Sequence, residues 1–124
     1  MNILAPISLG ELYDKHSILW VKSTRIEDPE KLKNIKKEMD ILSELCKQHP
    51  IEHHYWYDLV HVNNHLWAVE DNIRKKESKK EYDEEFISLA REVYYMNDKR
   101  SEIKREINLK YGSDLIEEKS YEKY

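Results

Sequence analysis

Apolar residues recur along the chain at the three- and four-residue spacing that is typical of amphipathic helices. The first such stripe covers residues 9–26 and follows a capping box, the sequence S-L-G-E at residues 8–11. A second stripe begins at Asp28-Pro29, a helix start signal, and ends at His49-Pro50. Because the connection between these stripes is short, the pattern predicts two antiparallel helices.

Two more stripes follow. The third covers residues 51–73. The charged run KKESKKEYDEE at residues 75–85 predicts a solvated connection, and Asp83 within it is the expected cap of a long fourth helix that Gly112 ends. The tail, residues 113–124, is expected to add one short turn of helix.

These elements predict an all-α fold with a single helical domain over residues 1–124. We expect an antiparallel helical bundle of about four helices, in which two hairpins pack face to face and the fourth helix is the longest. The composition agrees, since 2 Gly and 3 Pro are too few for the turns of a β-sandwich, a barrel or a Gly-rich phosphate loop. With 40% hydrophobic residues, the chain is too apolar to be disordered.

The charge balance excludes some partners. Lys and Arg number 21 against 25 Asp and Glu, and the net charge is -4, so the sequence predicts no duplex nucleic acid partner. No apolar run approaches the roughly 20 residues of a membrane span, and the start of the chain lacks the pattern of a signal peptide. The single cysteine, Cys46, falls on an apolar helix face and is expected to be buried. We therefore expect a cytoplasmic protein.

Polar residues occupy the margins of the third and fourth stripes, where apolar residues would be expected. In an antiparallel bundle the two sets can meet around an anionic small molecule, because Arg offers a bidentate fork to phosphate or carboxylate and Lys a point charge. The structural alternative is that Glu70 and Arg74 form an ordinary surface pair and that the asparagines only fix helix register. The candidate ligand-binding residues are Asn63, Glu70, Asp71, Arg74, Asn97, Asp98, Arg100 and Lys104.

Histidines crowd the third stripe. Four residues on one of its faces are spaced by four, three and four positions: His54, Asp58, His61 and His65. They could present three imidazoles and one carboxylate to a metal such as Zn²⁺. Neither an HExxH glutamate nor a CxxC pair accompanies them, so we predict no metal site and no cofactor. His16, inside the first stripe, is expected to be a hydrogen-bonded core histidine.

Sequence templates for nucleophilic catalysis are missing. The chain has no G-x-S-x-G elbow, no P-loop and no GxGxxG. Whether the protein is an enzyme therefore stays open. If it is one, Glu70 and Asp98 are the candidate general acid and base, because both are expected to be partly buried beside cations.

Motifs spread over nearly the whole chain resemble those of an uncharacterised bacterial and phage domain family. They include GELYDK at 10–15, LWAVEDNIR at 66–74, VYYMNDKRSEIKREIN at 93–108 and GSDLIEEKSY at 112–121. The family pattern reads GEL-x-DK, LW-x-[IV]ED-x-IR, ND-x-R-x-x-IKREIN and EEKSY. Its polar motif positions fall here on Asp14, Lys15, Glu70, Asp71, Arg74, Asn97, Asp98, Arg100, Lys104, Glu106 and Asn108.

The resemblance implies a helical accessory role in surface-polysaccharide metabolism, since members occur attached to or near glycosyltransferase and lipopolysaccharide-type proteins. It carries no established activity. Two functions remain open. The first is a non-enzymatic interaction domain that binds a protein partner or forms a homo-oligomer such as a dimer. The second is a protein or enzyme that binds a nucleotide-sugar or sugar phosphate between the third and fourth helices.

Overall fold

The protein is described by a computed structural model that covers all 124 residues. It consists of four α-helices and contains no strand: α1 (Leu9–Arg25), α2 (Pro29–Gln48), α3 (His53–Ser78) and α4 (Glu84–Lys110). The predicted all-α fold with four helices is confirmed, and α4 is the longest helix. None of the four is both long and apolar enough to cross a membrane.

The helix starts lie where the capping residues predicted them. The Ser8 hydroxyl accepts a hydrogen bond from the backbone N–H of Glu11 (3.1 Å), and the Asp83 carboxylate accepts one from the backbone N–H of Phe86 (3.0 Å). Asp28 caps α2 in the same manner. These caps satisfy donors that a helix N-terminus otherwise leaves unpaired.

The connection between α3 and α4 is shorter than predicted. We expected it to begin at Lys75, whereas α3 continues to Ser78. The reason is a cluster of ion pairs around the Lys76 ammonium, whose side chain is only 17% exposed. Its partners, at 2.9–3.2 Å, are Glu81, Asp83 and Glu85.

The expected short C-terminal helical turn is absent. Gly112 adopts a left-handed backbone (φ 66°), and residues 113–124 form no helix. The tail instead runs back along α4, because its carboxylates pair with cations of that helix: Glu117 with Lys104 and Glu118 with Arg105.

Helix α1 is the centre of the bundle. It packs against all three other helices, α3 and α4 pack against each other, and α2 packs against α1 alone. The two hairpins therefore meet mainly through α1. The hydrophobic core joins α1, α3 and α4 through the buried side chains of Leu12, Tyr13, Tyr55, Leu59 and Ile107. Cys46, expected to be buried, is only half-buried at the edge of this core.

Candidate functional site

A polar network lies between α1, α3 and α4, with the amide of Asn63 at its centre. The Asn63 Nδ2 group donates to Asp14 Oδ1 and to Ser17 Oγ, at 2.9 Å each, and Asn63 Oδ1 accepts from an Arg100 Nη at 3.0 Å. Asp14, Ser17 and Asn63 are all buried. We call this cluster, together with Asn97, Lys104 and Glu11, the polar network.

Arg100 is fixed by two asparagine amides. One terminal nitrogen donates to Asn63 and the other to Asn97 Oδ1 (2.8 Å), while Asn97 is itself held by donation from Nδ2 to the Val93 carbonyl oxygen (2.8 Å). The Arg100 Nε lies 4.0 Å from Asp14 Oδ2. The Arg100 side chain is nonetheless 27% exposed, so a preorganised guanidinium reaches the surface.

Lys104 is the buried cation of the network. Its ammonium lies 2.7 Å from Glu11, 3.7 Å from Asp14 and 2.9 Å from Glu117 of the tail. Burial by itself lowers the pKa of Lys104, but hydrogen bonds to Glu11 and Glu117 outweigh it, so that the pKa is raised above its ordinary value. The same hydrogen bond to Lys104 lowers the pKa of Glu117. Lys104 is therefore charged at neutral pH.

A glycine allows α1 to approach α4 closely beside the network. The Gly10 N–H donates to Asn108 Oδ1 at 2.7 Å, and a Cβ atom at Gly10 would lie 2.5 Å from the Lys104 carbonyl oxygen. Any side chain here would push the helices apart. Asn108 is 1% exposed, and its Nδ2 group has no hydrogen-bond partner.

An open groove of about 410 Å³ runs along the exposed edge of the network. We call it the Arg100 groove. It brings together six of the eight residues predicted to bind a ligand. The groove is lined by Ile18, Val21, Asn63, Leu66, Trp67, Glu70, Asp71, Arg74, Asn97 and Arg100.

The other two predicted residues lie outside this groove. Lys104 lines a separate polar groove under the tail, and Asp98 accepts a hydrogen bond from the Tyr124 hydroxyl. At the rim of the Arg100 groove, Glu70 and Arg74 form an exposed i,i+4 ion pair at 3.2 Å. Of the two candidate acid–base residues, only Glu70 therefore lines the groove.

The predicted set omitted the α1 half of the network. Asp14, Ser17, Glu11 and Gly10 face the predicted residues from a third helix. The sequence did contain one indication of these contacts, because Asp14 and also Asn108, the hydrogen-bond partner of Gly10, are polar motif positions of the family that the chain resembles. Ser17 carried no signal, since an isolated serine in an apolar stripe is an ordinary helix residue.

Two of the α3 histidines that were candidate metal ligands pair with different glutamates. His54 pairs with Glu52 at 3.3 Å, and His65 with Glu92 at 3.2 Å. No group of three or more His, Cys, Asp or Glu side chains is placed to hold a metal ion.

His16 forms a second polar junction on α1. Its Nδ1 accepts from the Trp56 indole N–H (2.9 Å), and its Nε2 lies 2.9 Å from Ser43 Oγ. The predicted hydrogen bonding of His16 is confirmed, but its predicted place in the core is not, because the side chain is only half-buried and lies outside the hydrophobic core cluster. Burial lowers the pKa of His16.

Comparison with known proteins yields one match. A model of a family described as a family of unknown function (DUF6165) matches residues 3–124. No curated protein matches the chain. No solved structure matches it either.

Proposed function

The chain belongs to the DUF6165 family of unknown function, and from this premise we propose that it is an accessory domain that binds an anionic sugar derivative in the Arg100 groove. The ligand class is a sugar phosphate or a nucleotide-sugar. The proposed setting is surface-polysaccharide metabolism, which the motif resemblance implies and which would supply such ligands.

The observation that carries this proposal is the Arg100 guanidinium, which is both fixed and partly exposed in the groove. Its two terminal nitrogens donate to Asn63 and Asn97, and each retains one further N–H. Fixed N–H groups suit an oxyanion, because binding does not have to order the side chain that makes the contact.

The remainder of the groove suits a ring that carries hydroxyl groups. Trp67 and three aliphatic side chains supply apolar surface against which a ring face can pack. Glu70 and Asp71 supply acceptors for hydroxyl groups. Because these carboxylates offset the charges of Arg74 and Arg100, the groove favours a ring with an anionic group over a bare polyphosphate.

Thermal unfolding with and without added ligand tests the proposal. The probes are glucose 1-phosphate, UDP-glucose and inorganic phosphate. We expect a sugar derivative to stabilise the protein more than inorganic phosphate does. A ligand present at 100 times its dissociation constant adds about 2.7 kcal/mol to the free energy of unfolding.

Three alanine variants locate the binding. Arg100→Ala and Arg74→Ala should each reduce the ligand-induced shift, measured against the melting temperature of the same variant without ligand. Arg91→Ala removes an exposed arginine of α4 outside the groove and should leave the shift unchanged. The proposal fails if no sugar derivative shifts the melting temperature, or if Arg100→Ala responds as the native protein does.

A second candidate function is self-association, and a separate surface favours it. Ile7, Leu45 and Leu115 are 41%, 37% and 46% exposed and line one groove where the tail leaves the bundle. Apolar side chains that share one groove lose contact with water when a second copy of the chain covers them, which favours association. Light scattering over a range of concentrations should detect a dimer that Leu45→Glu weakens and Ile87→Glu, at an exposed position of α4, does not. A strict monomer would refute this candidate.

A further inference from the structure

The tail contacts a polar groove on α4 that contains no hydrophobic residue. Glu117 lies 2.9 Å from the Lys104 ammonium, and both carboxylate oxygens of Glu118 accept from one Nη of Arg105 at 3.2 Å. We call this surface the tail groove. On α4 the groove is lined by Ser101, Glu102, Lys104, Arg105 and Asn108.

The far end of the tail rests on an aromatic surface of the same helix. The Tyr124 ring packs edge-on against Tyr94 and Tyr95, with ring centroids 5.0 and 4.9 Å apart, and its hydroxyl donates to Asp98. The tail is thus an extended peptide with two glutamates at one end and a tyrosine at the other. It lies antiparallel to α4, since residues 117 and 124 contact residues 104 and 98.

The tail fills this groove incompletely. Every residue from 114 to 124 is exposed, so the segment contributes nothing to the core. Beneath it, Asn108 lines the groove, is 1% exposed, and has an Nδ2 group without a partner. A buried donor without an acceptor is unfavourable. An occupant with one more acceptor would therefore fit the groove better than the tail does.

We propose that the tail groove is a docking site for an extended acidic segment of a partner protein, and that the tail covers it as a releasable strap. The cations at Lys104 and Arg105 already hold two successive carboxylates, which fixes the chemistry of the occupant. One incoming carboxylate replaces that of Glu117 on Lys104 without changing the charge of the network. A further acceptor reaches Asn108 Nδ2.

The strap is fixed at Ser113, and its residues 114–124 are exposed. Ser113 is anchored, because its N–H donates to the Asn108 carbonyl oxygen (2.9 Å) and its hydroxyl accepts from the Leu9 N–H (3.1 Å). Beyond this point the strap is held by the ion pair of Glu117 with the buried Lys104, by the exposed ion pair of Glu118 with Arg105, and by ring contacts of Tyr124. Because it is tethered, its effective concentration is on the order of millimolar, and it masks the groove from weak partners.

Competition in trans tests this proposal with full-length protein. The probe is a fluorescently labelled peptide with the sequence of residues 113–124. Its binding to the protein is measured by fluorescence anisotropy. Glu117→Gln combined with Glu118→Gln loosens the strap at exposed positions. We expect this double variant to bind the peptide about tenfold tighter than the native chain, because the competitor in cis is weakened. Unlabelled hexaglutamate should displace the peptide and shift the NMR signal of the Asn108 side-chain amide.

Matched variants in the double-variant background identify the groove. Arg105→Gln should weaken peptide binding several-fold, since it removes the charge-assisted contact of one guanidinium nitrogen with both carboxylate oxygens. Lys99→Gln, at an exposed position of the same helix outside the groove, should not. The proposal is overturned if the double variant binds no tighter than the native chain, or if Arg105→Gln and Lys99→Gln bind equally. Neither result bears on the Arg100 groove, whose residues are different.

Discussion

Helix α1 takes part in two polar junctions that differ in charge. His16, two positions from Asp14, lies roughly 200° around the helix from it. On one side His16 links α1 to Ser43 of α2 and Trp56 of α3 through neutral groups. On the other side Asp14 links α1 to α3 and α4 through Asn63 and the cations of α4.

The two junctions therefore respond to different perturbations. An indole N–H can only donate, so Nδ1 of His16 must be unprotonated and Nε2 carries the proton. Protonation of His16 Nδ1 therefore breaks the hydrogen bond from Trp56. The polar network already contains paired charges around the buried Asp14 and Lys104. It is weakened by removing Asp14, which leaves the Arg100 guanidinium without its carboxylate. The comparison predicts a large effect of mutation at Asp14 and a pH effect at His16.

Removal of the Asp14 carboxylate should have the largest effect. Asp14→Ala leaves the Asn63 amide with Ser17 Oγ as its remaining acceptor, and it removes the carboxylate nearest to Arg100 and one of the three carboxylates around Lys104. The expected cost lies at the lower end of the about 3–5 kcal/mol for breaking a buried ion pair, because Lys104 keeps two other carboxylates. Urea unfolding, followed by circular dichroism, measures the change in the free energy of unfolding.

The matched control is Asp58→Ala on the exposed face of α3. It should change the free energy of unfolding by less than about 0.5 kcal/mol, as is usual for surface positions. If Asp14→Ala costs no more than this control, the polar network contributes nothing to stability, and the contrast between the two junctions is wrong.

The neutral junction should lose stability as the pH falls. Burial holds the pKa of His16 below its ordinary value of 6.5. The unfolded chain then binds a proton at a higher pH than the folded chain does, so this contribution is complete above pH 6.5 and decreases as the pH falls below it. Protonation of Nδ1 also removes the acceptor for the Trp56 indole N–H, which acts in the same direction.

Urea unfolding at several values between pH 5 and pH 8 measures this dependence. His16→Gln should flatten the acidic side of the profile, because a neutral amide still accepts from Trp56 and does not titrate. His61→Gln, on an exposed face of α3, serves as the control and should keep the native slope. If His16→Gln keeps the pH dependence of the native protein, another group is responsible for the pH effect.

The four helices follow from the sequence because their signals are local. Ser8, Asp28 and Asp83 act within one turn of the backbone they cap, and the apolar stripes report the buried face of each helix. The end of α3 was missed for a related reason. Ion pairs from Lys76 to residues five to nine positions later extend the helix into a charged run, and charge alone predicted a solvated connection.

The candidate site is predicted less completely, because it depends on contacts between distant segments. The stripes correctly placed Asn63 and Arg100 on faces that meet, 37 residues apart in the chain. They could not indicate that Lys104 pairs with the tail or that Asp98 contacts Tyr124, since the tail was expected to turn into helix. A helical wheel reports the face of one helix, and not which segment covers it.

The ion pair of Glu70 and Arg74 gives the smallest expected effect and separates stability from binding. Their side chains are 45% and 78% exposed, so solvent screens the pair and Arg74→Ala should cost less than about 0.5 kcal/mol. Arg74 nevertheless lines the Arg100 groove, so the same variant should weaken binding of a sugar phosphate. Urea unfolding and ligand titration of this one variant measure both quantities. A large loss of stability would place Arg74 with the buried charges of the polar network, whereas unchanged stability and unchanged binding would remove it from the site.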